Sequence, residues 1–144
     1  MQPIDLFKAR IGTQLADNSP SPMGRWLNGT LVAAETDSLT IHFTVRGELC
    51  NPMGMLHGGA AAAILDEILG MTVYASGVDH FYTSVNLNVD FLFSAPKGSL
   101  LTIKSQIARK GKKIIHVEAC ITDEQGQLIA KATSNLVATS QPAK

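Results

Sequence analysis

Two adjacent carboxylates, Asp66 and Glu67, stand in a run that is otherwise apolar on every side over residues 60–69. A helix apolar all round belongs in a protein interior. A carboxylate there is costly unless it is paired, hydrogen-bonded or used, and its chemical uses are to accept a proton or to attack an electrophile. Just ahead of this helix the chain reads Asn51-Pro-Met-Gly-Met-Leu-His57-Gly58-Gly59, a loop that ends where the helix begins. The first N–H groups of a helix have no partner within it and carry the positive end of its dipole. Gly58 therefore offers an N–H to developing negative charge, with no side chain in the way.

These residues need a frame, and the rest of the chain reads mostly as strand. Ile4, Leu6, Phe7, Ile11 and Leu15 recur at helical spacing and predict a short amphipathic helix over residues 3–16, with Pro3 in its first turn. Residues 17–24 have loop composition. β-formers dominate residues 26–35 and 38–45, joined by a tight Thr36-Asp37 connection. After the central helix, Val85, Leu87, Val89, Phe91 and Phe93 alternate with Ser84, Asn86, Asn88 and Asp90, the period of a half-buried strand. Gly-, Asp- and Pro-bearing turns at residues 96–98, 110–111 and 123–126 lead into three further strands over 100–108, 113–122 and 128–138. One helix cannot cover both faces of such a six-stranded antiparallel sheet, but a curved sheet can wrap around that helix and bury it. The expected class is α+β, with residues 1–24 an N-terminal helix and loop, residues 25–140 the domain, and residues 141–144 a frayed tail.

With 144 residues, the chain builds one core without metal or disulfide help. Formal net charge is zero and 17% of residues are charged, so no concentrated positive field draws nucleic acid or an anionic membrane. No uncharged apolar stretch reaches the ~18 residues of a membrane span, and the first ten residues lack a signal peptide's apolar run. Cys50 and Cys120 are too few and scattered for a disulfide framework, and a reduced, cytoplasmic setting is expected. Neither metal nor cofactor is expected, because His42, His80 and His116 make no ligand spacing with a cysteine or carboxylate.

The combination of Asn51, His57-Gly58-Gly59 and Asp66, followed by a strand opening at Ser84 and reading Ser-Val-Asn-Leu-Asn-Val-Asp-Phe, resembles the hotdog-fold acyl-CoA thioesterases of the phenylacetate-degradation (PaaI-like) type. The resemblance covers roughly residues 25–140. It implies a hotdog fold, homodimers that pair into homotetramers, and hydrolysis of the thioester between an acyl group and coenzyme A. Carried over residue by residue, it makes Asp66 the general base or nucleophile, with Ser84 positioning the water or the carboxylate and Thr83 able to stand in. Asn51 and Gly58 come from the facing chain. The Gly58 N–H is the oxyanion donor, with His57 and Gly59 shaping the turn.

Spacing adds a constraint. Eight residues separate Gly58 from Asp66, about 12 Å along a helix, so the two cannot meet at one carbonyl from a single chain. Antiparallel helices across a two-fold axis would give each site one of each, which makes the dimer a condition of activity. Glu67 points about 100° away from Asp66 on a helix; some hotdog thioesterases use a helix Glu instead, but the spacing of Asp66 from His57-Gly58-Gly59 fits the PaaI-like pattern, which makes Asp66 the preferred acid and Glu67 the control. Coenzyme A carries phosphates, and the one dense positive run is Arg109-Lys110-Gly111-Lys112-Lys113 at a hairpin turn. Arg109, Lys110, Gly111 and Lys112 are the expected phosphate contacts, against the alternative of a solvated hairpin tip. Phe81, Tyr82, Phe91 and Phe93 are expected in the core or in an acyl-pocket wall. Two other functions stay in play: a hotdog hydratase or dehydratase, which needs a His beside the acid and finds none on the helix face by Asp66, and a non-catalytic acyl-CoA-binding protein on the same fold. Cys50 has neither a helix start nor a basic partner beside it to make a thiolate nucleophile.

Overall fold

In the computed structural model, which describes residues 1–143, one long helix lies in the hollow of one antiparallel sheet. Three short helices come first: α1 (Pro3–Ala9), α2 (Leu15–Asn18) and α3 (Pro22–Leu27). Strands β1 (Thr30–Glu35) and β2 (Ser38–Thr44) follow, then a 3-10 turn (Gly47–Leu49) and the central helix α4 (Gly58–Ala75). Strands β3 (His80–Ser84), β4 (Asn88–Phe91), β5 (Leu100–Lys110), β6 (Ile114–Thr122) and β7 (Leu128–Pro142) complete the chain. The strand order is β1-β2-β5-β6-β7-β3, with β4 also paired to β7. This is the expected α+β hotdog architecture, with seven strands in place of six.

The seventh strand is β3, which precedes the alternating run over residues 84–93 and overlaps it only at Ser84, while β4 takes up the run at Asn88. Both strands pair with β7. Between them the Asn86 side-chain Oδ1 accepts the Asn135 N–H at 2.8 Å, and Ser134 Oγ donates to the Asn86 carbonyl at 2.7 Å. A side chain there takes the place of a ladder carbonyl, an alternative that Asn offers readily, and apolar periodicity is blind to it.

Three more expectations are corrected. The single N-terminal helix is interrupted, because Gly12 adopts φ +89° and turns the chain onto the edge of β1. There Gly12 N–H donates to Leu31 O, Leu31 N–H to Thr13 O, and Leu15 N–H to Gly29 O. Residues 26–27 close α3 rather than opening a strand; Pro22 sits in the first turn of that helix and Ser21 Oγ caps the Gly24 N–H. The expected tail is mostly strand, with Pro142 paired to His80 and Ala143 N–H donating to Asp79 O. Lys144, the last residue of that tail, lies outside the described residues.

Nor is α4 buried on all sides. Ala61, Ile64, Leu65, Ile68, Leu69, Thr72 and Val73 pack into the sheet, against Leu101, Ile103, Ile115 and Leu136 among others. A buried polar cluster pins the helix: Thr72 Oγ1 donates to Ile68 O and meets Ser105 Oγ, while Ser38 Oγ donates to Ser105 O. Asp66 stays exposed, and Glu67, Gly70, Met71 and Tyr74 are half-buried. The carboxylate conflict posed by the sequence is resolved because Asp66 stands on the flank the sheet does not cover. Along the run expected to be a half-buried strand, Leu87 and Val89 are half-buried against the core, while Val85 at 60% and Phe91 at 59% exposed stay open within one chain. Among the described residues no helix is long and apolar enough to cross a membrane.

Candidate active site

The predicted site residues fall into three groups. The first is at the amino end of α4. Asn51 organises the incoming loop, its Oδ1 accepting the N–H groups of Met53 and Met55 at 3.0 and 3.2 Å. Gly54 makes the reversal with φ +77°, and His57 N–H then anchors the loop to Leu49 O at 2.8 Å. His57 is the N-cap: its Nδ1 accepts the Gly59 N–H at 2.8 Å. That bond assigns the remaining ring proton of a neutral His57 to Nε2 and commits Nδ1 to the turn. Gly59 is thereby spent on the cap. The Gly58 N–H has no acceptor among the described residues, and the Phe91 ring lies 3.4 Å from where a Gly58 Cβ would be.

The second group lies two turns further along. Ser84 Oγ donates to Asp66 Oδ1 at 3.3 Å, joining β3 to α4 within one chain. Thr83 lines the same cavity, yet Ser84 is the residue that bonds the carboxylate. The cavity, about 620 Å³, opens between α4 and β3 on one side and α1, α2 and the loop after them on the other. This is the size of an ordinary small-molecule site. Ser84→Ala should leave the fold intact and lower kcat by about three- to tenfold, the worth of one long, partly solvated bond to a carboxylate. Steady-state kinetics on the purified variant measures it; an unchanged kcat removes Ser84 from the site.

The third group, the basic hairpin, sits at the carboxyl end of α4. Lys110 Nζ donates to Ser76 O at 2.8 Å, a cation placed where helix carbonyls lack partners. At Gly111 a Cβ would come 2.7 Å from Ile114 O, so the tight tip requires glycine. These two residues are therefore accounted for by the fold, while Arg109 and Lys112 are exposed.

Glu67, the other acid of the helix, is not set apart from Asp66 by the cavity. It lines the same cavity as Asp66, because the groove under the N-terminal helices spans more of the α4 circumference than the 100° between neighbours. Its Oε1 lies 2.5 Å from where a Gly24 Cβ would stand, so Gly24 leaves room for it. Phe81 and Tyr82 line the cavity, as does exposed His80, which opens β3 and makes no hydrogen bond to Asp66. Cys50 and Cys120 are free thiols. Among the described residues no three metal-ligating side chains cluster.

Sequence reasoning missed the cavity's other wall. Leu6, Phe7 and Arg10 of the N-terminal segment face α4 across it, and Gly70 and Tyr74 lie on its floor. Gly70 did carry a readable signal. A glycine inside a helix costs about 0.5–1 kcal/mol relative to alanine, and a Cβ at Gly70 would meet nothing within 4 Å, so packing does not demand it.

Comparison with known proteins points one way. The model of the thioesterase superfamily matches residues 53–130. Mouse acyl-coenzyme A thioesterase 13 is 29% identical over 103 residues, covering 71% of this chain and 74% of that protein. A phenylacetic acid degradation-related protein of Ralstonia eutropha JMP134 is 29% identical with TM-score 0.76, covering 83% of this chain and 92% of its own. A hypothetical thioesterase of Streptococcus pneumoniae TIGR4, crystallised with coenzyme A, shares the fold at TM-score 0.75 and 24% identity, covering 79% of this chain and 88% of that one.

Proposed function

The chain belongs to the thioesterase superfamily and is a thioester hydrolase, and from that premise we propose that it hydrolyses acyl-coenzyme A to the free acid and coenzyme A at sites shared between two chains. The observation that carries the reading is the Asp66 carboxylate, held by Ser84 at the wall of a cavity, with the unpaired Gly58 N–H eight residues away on the same helix. About 12 Å of helix separates the two groups, so each completes a site only with its counterpart on a second chain. The covering of one sheet edge supports this. Residues 12–15 occupy the β1 side, which leaves the β3–β4 side open with Val85, Phe91 and Phe93 exposed along it. An open apolar edge is the surface along which a second sheet adds.

In the proposed reaction a water attacks the thioester carbonyl, or Asp66 itself attacks and displaces the coenzyme A thiolate, leaving an acyl-aspartyl anhydride that water then hydrolyses to the free acid and Asp66. The Gly58 N–H of the facing chain, backed by the helix dipole, holds the oxyanion, and that chain's Asn51 amide helps orient the carbonyl. When water attacks, its proton passes to Asp66, the C–S bond breaks, and the proton leaves with the coenzyme A thiolate. Ser84 fixes which Asp66 oxygen faces the substrate. Antiparallel helices put the facing chain's basic hairpin on the side of Asp66 away from the cavity, where Arg109 and Lys112 can meet the phosphates of coenzyme A while the acyl group enters the cavity. The relatives support the substrate: one carries acyl-coenzyme A in its name, and another was crystallised with coenzyme A. The test is free-thiol release from a panel of short, medium, long and aromatic acyl-CoAs. Micromolar to millimolar KM values are expected for at least one; no release from any of them overturns the reading.

A further inference from the structure

Resting on the acyl-CoA reading, we infer that Gly70 and Tyr74 form a length gauge for the acyl group, and that the substrate class is a slim, medium-length acyl group. It would run from Asp66 beneath α1 and stop at an aromatic end wall. The evidence is a line of residues on α4. Asp66, Gly70 and Tyr74 are spaced i, i+4, i+8, which puts them on one helix face, and all three line the cavity. Asp66 holds the reacting end. Gly70, one turn on, leaves open space where any other side chain would project. Tyr74, a second turn on, is held on both sides: its ring centroid lies 6.2 Å from Phe81 in a near-parallel stack and 6.4 Å from Phe7 of α1.

A glycine kept inside a helix against its propensity, with no neighbour that requires it, is explained by what must pass over it. Leu6, Phe7 and Met71 give that passage apolar sides, and Arg10, on the same wall, has its cation engaged by Asn18 O at 3.1 Å. The run from Asp66 to Tyr74 is about 12 Å. An acyl group longer than that meets the rings of Phe7, Tyr74 and Phe81, and a shorter one leaves apolar surface unfilled.

Chain-length profiles of kcat/KM test the gauge with acetyl-, hexanoyl-, decanoyl- and palmitoyl-CoA. Gly70→Leu exchanges glycine for a better helix former, so its Tm should equal or exceed the wild-type value. Its decanoyl-to-acetyl ratio should fall by about tenfold or more, since several methylenes lose their place. Tyr74→Ala should shift the profile the other way, raising the palmitoyl-to-decanoyl ratio. A folded Gly70→Leu protein with wild-type ratios overturns the gauge while leaving the thioesterase reading standing. A folded Tyr74→Ala protein with an unmoved profile removes the end wall from it. A wild-type protein that releases no thiol from any acyl-CoA overturns the functional reading itself, independently of either variant.

Discussion

Asp66→Asn should lower kcat for acyl-CoA hydrolysis by about 10²- to 10⁴-fold, the range that a positioned proton acceptor contributes. Asparagine keeps the shape of the side chain and can still accept from the Ser84 hydroxyl, so what is lost is basicity and nucleophilicity. Because Asp66 is exposed in the chain, its replacement should move Tm by about 2 °C or less, the scale of surface substitutions. Glu67→Gln is the companion measurement. It faces the same cavity but packs over Gly24, so its kcat should stay well above that of the Asp66 variant. Equal kcat values for wild type and Asp66→Asn would sink the catalytic assignment.

The second large effect is expected from Gly58→Pro, which removes the proposed oxyanion N–H and sets ring carbons in the space glycine leaves open beside Phe91. Proline suits the first position of a helix, where the N–H has no intrahelical acceptor. The preceding residue, His57, already has φ −64° and ψ 137°, the extended conformation that a following proline requires. The cap bond from Gly59 N–H to His57 Nδ1 is left in place. A fall in kcat of about 10²- to 10³-fold with a folded protein is the expected result.

Mixing the two inactive variants then asks where each site gets its parts. If Asp66 and Gly58 of different chains make one site, a hybrid of the Asp66→Asn and Gly58→Pro chains holds one site with both wild-type groups. Refolding the two together at equal amounts should restore about a quarter of wild-type activity, since about half the dimers are hybrid and half of each is intact. No restoration in a mixture proven to contain hybrids would refute the shared site.

The sequence made α4 and Asp66 legible for a physical reason. A carboxylate among alanines, leucines and isoleucines breaks a pattern that burial should enforce, and Ser84 follows on a strand whose period is plain. The loop from Asn51 to Gly58 was readable because glycine and proline mark where regular backbone stops. Other parts were hidden for reasons equally physical. Helices α2 and α3 are too short for periodicity and are held by Ser21, by Pro22 and by bonds to Leu15. The break between β3 and β4 depends on the Asn86 side chain answering Asn135 across the sheet, a partner 49 residues away. The placing of Glu67 was not legible because helix geometry gives angles between neighbours but not the width of the groove above them. The roof of the cavity, built by residues that read as a peripheral helix and loop, is a tertiary fact with no local signature beyond Gly70.

Residues 12–15 lie along the start of β1 and take up hydrogen-bonding groups of Gly29 and Leu31 on that margin of the sheet. A sheet with two free margins can polymerise, each addition exposing the next. With the start of one margin covered by its own N-terminal segment, the proposed strand addition is directed to the β3–β4 margin. Trimming the chain before Leu15 would uncover the Leu31 groups, and a proposed pair would gain a second place at which strands could add.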